Sequence, residues 1–418
     1  MRVPFSKRLA VKGSVAMAAL AIVSACTQAP VPALDPAGPL SVRVDTTVQF
    51  EATGLPGALL WSVDGDFNGS LLKGQITDGE YQAPVRVPTD PTVTVSAAVA
   101  TDPSKSASAE VTITAPGTLY VLSDDAVYVF NDMDVASGDV TPNRSFKLSG
   151  AAADAYYDMA MAPEIDTAFI GVNEHPAGIY RVTSISTASG TVPATAFSAA
   201  GYQYPAGLAY DHLRDILYVQ VEGALLAYDD ASTAPAGHAP ARVVSGPSLD
   251  TLFDDDSRIN LDAASNRLFI SNPDGVVSVY DGASTISGHI VPDRNITVDY
   301  VSLFFLWGAA YDSTRDELYL ADQKSGVNIY VIEGASTADG LVAPDRIIGG
   351  PGNVLSAPSQ ISYDPVNDRL VAIDTDEDDV KVYDAASTLE GDVAPSRIIG
   401  GASLPISYSY GGYLDPTQ

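Results

Sequence analysis

The chain has 418 residues and carries 22 Lys and Arg against 52 Asp and Glu, a net charge of −30. That charge repels phosphate backbones and excludes nucleic acid as a partner, and it disfavours electrostatic attachment to anionic lipid. Apolar residues make up 46% of the chain, enough for a packed core. The single cysteine excludes an intrachain disulfide, a Cys-rich zinc site and a CxxC redox pair.

The N-terminus reads as an export address. Arg2, Lys7, Arg8 and Lys12 form a basic region, and residues 14–23 form an apolar run. The run is too short to cross a bilayer as a helix, which needs about 20 residues. Val23, Ser24, Ala25 and Cys26 resemble the lipobox of bacterial lipoproteins. The resemblance implies that residues 1–25 are a signal peptide and that Cys26 carries the lipid anchoring the chain to a membrane. Several acyl chains, each buried CH₂ worth about 0.8 kcal/mol, make such an anchor durable. The mature chain keeps a net charge of −34, because residues 1–25 hold four cations and no acid. Thr27, where Asp would signal inner-membrane retention, implies the outer membrane of a Gram-negative envelope, or otherwise the cell surface. Residues 26–39 contain Pro30, Pro32, Pro36 and Pro39 and read as an extended tether. At about 3.1 Å per residue it reaches roughly 40 Å.

Residues 40–115 alternate apolar and polar positions. Val93, Val95, Ala97 and Val99 keep period two, as do Ala109, Val111 and Ile113. This period gives strands one buried and one wet face. About seven short strands separated by Gly and Pro fit a small sandwich. Around Trp61, Gly74, Gly79 and Asp102 the segment resembles bacterial immunoglobulin-like domains, which implies a core position for Trp61 and a spacer or adhesive role. Asp64, Asp66, Asn68 and Gly69 match the start of a calcium-loop signature, but Gln75 stands where its bidentate acid belongs. A hairpin turn is the leading account of them, and calcium the lesser one.

From residue 117 to 418 the chain repeats itself. An apolar triplet recurs at Leu119, Ala168, Leu217, Leu268, Leu318 and Leu370, spaced by 49, 49, 51, 50 and 52 residues. An Asp-centred turn precedes it at Asp211, Asp262, Asp312 and Asp364, with Arg or Asn following at 214, 266, 315 and 367. Later in each unit stands Ala-Ser-Thr, at 231, 283, 335 and 386, and then a conserved-looking spacing to Arg242, Arg294, Arg346 and Arg397. The first unit keeps Arg144; the second has Thr195 in that place. Four strands in about 50 residues is one propeller blade. The units resemble six-bladed propellers of the NHL/YncE type. The expected fold is therefore all-β: an immunoglobulin-like sandwich, then a six-bladed propeller closed by a C-terminal strand near residues 406–416.

The chemistry-bearing residues fall mostly into this repeat, where a turn needed in every blade explains them as scaffold. Arg294, Arg346 and Arg397 are expected to pair with carboxylates of a neighbouring blade or cap loop carbonyls. His175, His212, His238 and His289 form no zinc pair, and no G-x-S-x-G elbow or phosphate loop occurs. No catalytic residue is assigned. Acidic runs at Asp374, Asp376, Glu377, Asp378 and Asp379, and at residues 254–256, are solvated loop tips or weak calcium ligands. Calcium is the one cofactor these acids could take. Six-bladed propellers also include calcium-dependent lactonases with a metal in the central tunnel. Asp158, Asn260 and Gln360 are the innermost-strand candidates here, without that family's motif. The leading expectation is a lipid-anchored envelope protein whose propeller binds a protein, glycan or other envelope ligand. The rival is a calcium-dependent hydrolase using the tunnel, and a purely structural envelope role is the third reading.

Overall fold

The computed structural model describes residues 30–418 apart from 125, 151–155, 173–177, 200, 203–204, 251–256, 300–305, 324–326, 405 and 407–410. Residues 1–29, which include the expected signal peptide and Cys26, together with His175 and the run at 254–256, lie outside the described residues.

Two sheets share the N-terminal core. Leu40–Arg43, Asp102–Thr114, Thr92–Val99, Leu59–Val63 and Asp66–Phe67 lie side by side in one. Thr47–Gln49, Glu80–Gln82, Gly74–Thr77 and Gly69–Ser70 form the other. The alternation along Thr92–Val99 is realised as buried and exposed positions in turn. Phe50, Trp61, Val63, Ile76, Tyr81, Val95 and Val111 meet in the core, and this burial drives the two sheets together. Within the segment expected as a tether, residues 33–35 form a strand. Ala33–Asp35 pairs with Glu51–Thr53, and Leu34 is buried in the sandwich core. The segment between Pro32 and Pro36 keeps its N–H groups, so it can act as a short edge strand.

Six sheets follow among the described residues, three of four strands and three in which a short fifth strand from the next unit is added at the outer edge. Their innermost strands are Gly411–Asp415, Tyr156–Ala162, Gly207–Asp211, Arg258–Asp262, Leu306–Asp312 and Pro358–Asp364. Each touches the next, and Pro358–Asp364 touches Gly411–Asp415. The chain is thus all-β and propeller-like. The first sheet takes its innermost strand from the far end of the chain, with Thr118↔Asp415 and Leu122↔Gly411 opposite one another. Between sheets the faces are apolar: Phe169 and Leu217 share one cluster, Tyr319 and Leu370 another.

The outer edges are laced together. Gly190–Val192, from the second sheet's loop, runs parallel to residues 146–148 of the first. Gly288–His289 does the same for the third sheet and Gly340–Val342 for the fourth. Gly237 and His238 bond Ala196 and Ser198 of the second sheet through the main chain, each at 2.8 Å. Single bridges join Ile348 to Gly391 and Ile399 to Gly138. Each lacing supplies hydrogen-bond partners to an edge strand that would otherwise present unpaired main chain.

Candidate functional site

The repeated residues come first, because their geometry decides what remains free for chemistry. The Asp211 carboxylate accepts from the Leu213 and Arg214 amides at 3.0 and 3.2 Å, and its other oxygen accepts from the Arg214 guanidinium at 2.9 Å. Asp312 repeats this with Thr314 and Arg315, and Asp364 with Val366 and Asn367. These are Asx-type turns between the two inner strands.

A second set of acids was not legible as a set. Asp166, Asp215, Asn266, Asp316 and Asp368 all have positive φ, between 50 and 57–58°, a conformation that Asp and Asn tolerate better than most residues. Each receives the Ser of the later Ile-Ser-Thr or Ala-Ser-Thr loop. In the third sheet the Ser232 amide and hydroxyl donate to Asp215 at 2.8 and 2.7 Å. The sequence signal was present in four of the five: an Asp or Asn four residues after the turn Asp, with a Ser 17–20 positions beyond it; Asp166 has the Ser but Ala162 in the place of the turn Asp.

The repeated arginines cap loop carbonyls as expected, but their carboxylate partners lie in their own sheets and not in a neighbouring one. Arg294 binds Asp281 at 2.6 Å and Arg397 binds Asp384 at 3.0 Å, carboxylates of their own sheets. Arg346 pairs with Glu317 at 2.8 Å and donates to the Ala386 and Leu389 carbonyls of the next sheet's loop. All of this is scaffold.

At the axis, strand pairing aligns Asp158, Gly207, Arg258, Gly308, Gln360 and Gly411 as equivalent positions of the six innermost strands. Polar side chains alternate with glycines. Arg258, 3% exposed, donates from Nε to the Gln360 side-chain oxygen at 2.7 Å. Its terminal nitrogens donate to the Ser257 and Ser359 carbonyls at 3.1 and 3.3 Å. The fourth and sixth sheets are thereby bridged, and Gly308 in the intervening fifth sheet has no side chain to stand between them. Asp158 is buried and accepts from the Leu208 amide at 2.7 Å. Burial pushes its carboxyl up to about 6, against the opposing pull of the Arg258 charge and of the Leu208 and Met159 amides.

Sequence reading placed Asp158 and Gln360 here and missed Arg258. Asn260, the residue chosen from that strand, lies two positions further along and is half-buried. Asp158, Arg258 and Gln360 each pair with the residue 13 positions on in the second strand, so the residue equivalent to Asp158 and Gln360 is Arg258, and Asn260 is out of phase with them by two.

The donor set does not fit a calcium ion. A guanidinium fills the place a tunnel cation would take, and Gln360 is already turned toward it. Cations of like charge repel there, and hard dications require several free oxygens. Two members of the acidic run at 374–379 are also committed. Asp374 accepts from the Ser356 and Ala357 amides at 2.7 and 2.8 Å and from Lys381 at 2.8 Å. Asp379 takes the same ammonium at 2.5 Å. Asp376, Glu377 and Asp378 are exposed in the turn. In the sandwich, Asp64 binds Lys73 at 2.7 Å and the Thr94 amide at 2.7 Å, while Asp66 and Asn68 stay exposed in a hairpin. Among the described residues, no three His, Cys, Asp or Glu side chains converge on a metal position. His238 packs on Phe197 and Tyr228 and meets the Asp229 carbonyl at 2.9 Å; His212 and His289 are exposed.

What remains open is a face. The sandwich packs on the turns at one end of the sheets. Arg86 meets Asp415 and, at 3.3 Å, Asp166; Asn367 donates to the Ala115 carbonyl at 3.3 Å; Arg43 pairs with Asp132. Antiparallel strand order puts the turns between second and third strands at the opposite end. Those turns expose Glu222, Asp274, Asp376, Glu377 and Asp378, an acidic rim pointing away from the sandwich.

No protein-family model matches the chain, and no curated protein matches it. A solved nidogen/laminin complex is similar with a TM-score of 0.48 and 14% identity, over 71% of this chain and 97% of that one.

Proposed function

We propose that this chain is a lipid-anchored envelope protein whose propeller, built of six blades, binds a macromolecular ligand on the acidic face opposite the sandwich. The observation that carries the reading is the one-sided docking of the sandwich. An anchor at Cys26 enters through the sandwich, so the face carrying Glu222, Asp274 and Asp376 is presented outward. The tunnel supports binding rather than turnover, since Arg258 and Gln360 consume one another. A complementary cationic surface on the ligand would be steered to an acidic rim.

The test is saturable binding of purified envelope proteins and glycans to the mature protein on liposomes, with cross-links mapped by mass spectrometry. Cross-links at the second-to-third-strand turns, and affinity lost in an Asp376→Ser, Glu377→Gln, Asp378→Ser variant, are expected. Cross-links confined to the sandwich, or calcium-dependent ester or lactone turnover abolished by chelation, would overturn the reading.

A further inference from the structure

In three sheets the turn Asp satisfies its outer oxygen with the side chain three positions on: Asp211 with Arg214, Asp312 with Arg315, Asp364 with Asn367. The first sheet is different, because its innermost strand is the chain's C-terminal one. Asp415 ends that strand and accepts from the Thr417 amide at 2.9 Å, as in the other turns. Its outer oxygen takes the guanidinium of Arg86, a residue of the sandwich 329 positions away. Asp415 is wholly buried. Arg86 also reaches the Thr417 hydroxyl at 3.2 Å, and the next amide, Val87, donates to the Thr417 carbonyl at 2.8 Å. Below the same strand, Arg369 donates to the Pro116 carbonyl at 2.9 Å, at the joint between the two parts.

We propose that the sandwich is the latch of the ring: Arg86 and Val87 complete the turn of the closing strand, so the first sheet is secured only when the sandwich is folded and docked. A buried carboxylate that loses its cation is strongly destabilising, so Asp415 disfavours the paired strand unless Arg86 is present. Closure of the sheets and docking of the sandwich then become one cooperative event instead of two independent foldings. This inference is independent of the binding reading and holds whatever the outer face takes.

The experiment is amide hydrogen exchange on the mature full chain, followed at residues 411–415 and 118–122. Arg86→Met is expected to lower protection there on the order of tenfold or more. Arg43→Met, which removes another contact between the sandwich and the sheets at Asp132, is expected to leave the closing strand unchanged. Equal protection in Arg86→Met and native protein, or equal loss in both variants, would overturn the latch. Native protein in rising denaturant gives a second reading that needs no variant. Sandwich core amides at Val95 and Val111 and closing-strand amides should be lost in one opening step. A sandwich that opens while residues 411–415 stay protected would overturn the proposal equally.

Discussion

Arg181 donates to the main-chain carbonyl of Ala231 across 2.9 Å. Arg144 makes the corresponding bond to Ile185, and Arg346 to Ala386, each into the next sheet's loop. The second sheet has Thr195 where those arginines stand, and Arg181 sits directly opposite it on the adjoining strand. The guanidinium has moved one strand inward and still reaches the same carbonyl.

That relocation is testable as a swap. Arg181→Thr removes a charged donor from a partly buried carbonyl and should cost about 1–2 kcal/mol. Adding Thr195→Arg should restore at least half of the loss, read as the denaturant midpoint. No recovery would mean that the two positions do not serve one loop.

Asp316 has φ 58° and accepts from the Ser336 amide, the Ser336 hydroxyl and the Tyr311 hydroxyl at 2.8, 2.7 and 2.9 Å. Asp316→Ala should cost about 2–4 kcal/mol, from lost hydrogen bonds together with a left-handed backbone that Ala resists. Asp316→Asn should stay within about 1 kcal/mol, because Asn266 already holds Ser284 by two bonds of 2.9 Å in the fourth sheet. Urea unfolding of the two variants separates these outcomes.

Asp158 gives the pH dependence a sign. Its folded carboxyl titrates at about 6 against an ordinary 3.8, so the folded state binds more protons between those values. Stability therefore falls as pH rises from about 4 to about 6 and levels off above, a total of about 3 kcal/mol. Asp158→Asn still accepts from the Leu208 amide and has no proton to lose. Its stability relative to the native protein should climb through that window and be largest at pH 7. Parallel melting curves from pH 4 to 7 would show that the carboxyl is not desolvated as described.

Lys381 is 1% exposed in its side chain and lies between Asp374 and Asp379. Lys381→Met leaves two carboxylates inside the sixth sheet without their cation and should cost about 3–5 kcal/mol. Lys381→Met with Asp374→Asn should recover part of that loss. In the native protein millimolar calcium should move the melting temperature by less than about 1 °C, since ligand binding stabilises only where a site is available.

Much of the scaffold was legible because it is local. Period-two runs such as Val93 to Val99 announce a strand with one buried face, and Asp211 with Arg214 closes a turn within three residues. Repetition then multiplied the signal. The pairing of Asp215 with Ser232 spans 17 positions and was hidden only by its length. The acidic run at 374–379 was read as one loop tip because composition cannot tell Asp374, held by two amides and an ammonium, from exposed Asp376.

Spacing alone determined the sheet repeat, its turns and the lone apolar core of the N-terminal sandwich, since each depends on hydrogen bonds and burial among near neighbours. Only the tertiary structure decided that Arg258 meets Gln360 across the axis and that Arg86 answers Asp415. Residues about a hundred or three hundred positions apart become partners through the packing of successive sheets and the seating of the sandwich, and neither leaves a periodic trace along the chain.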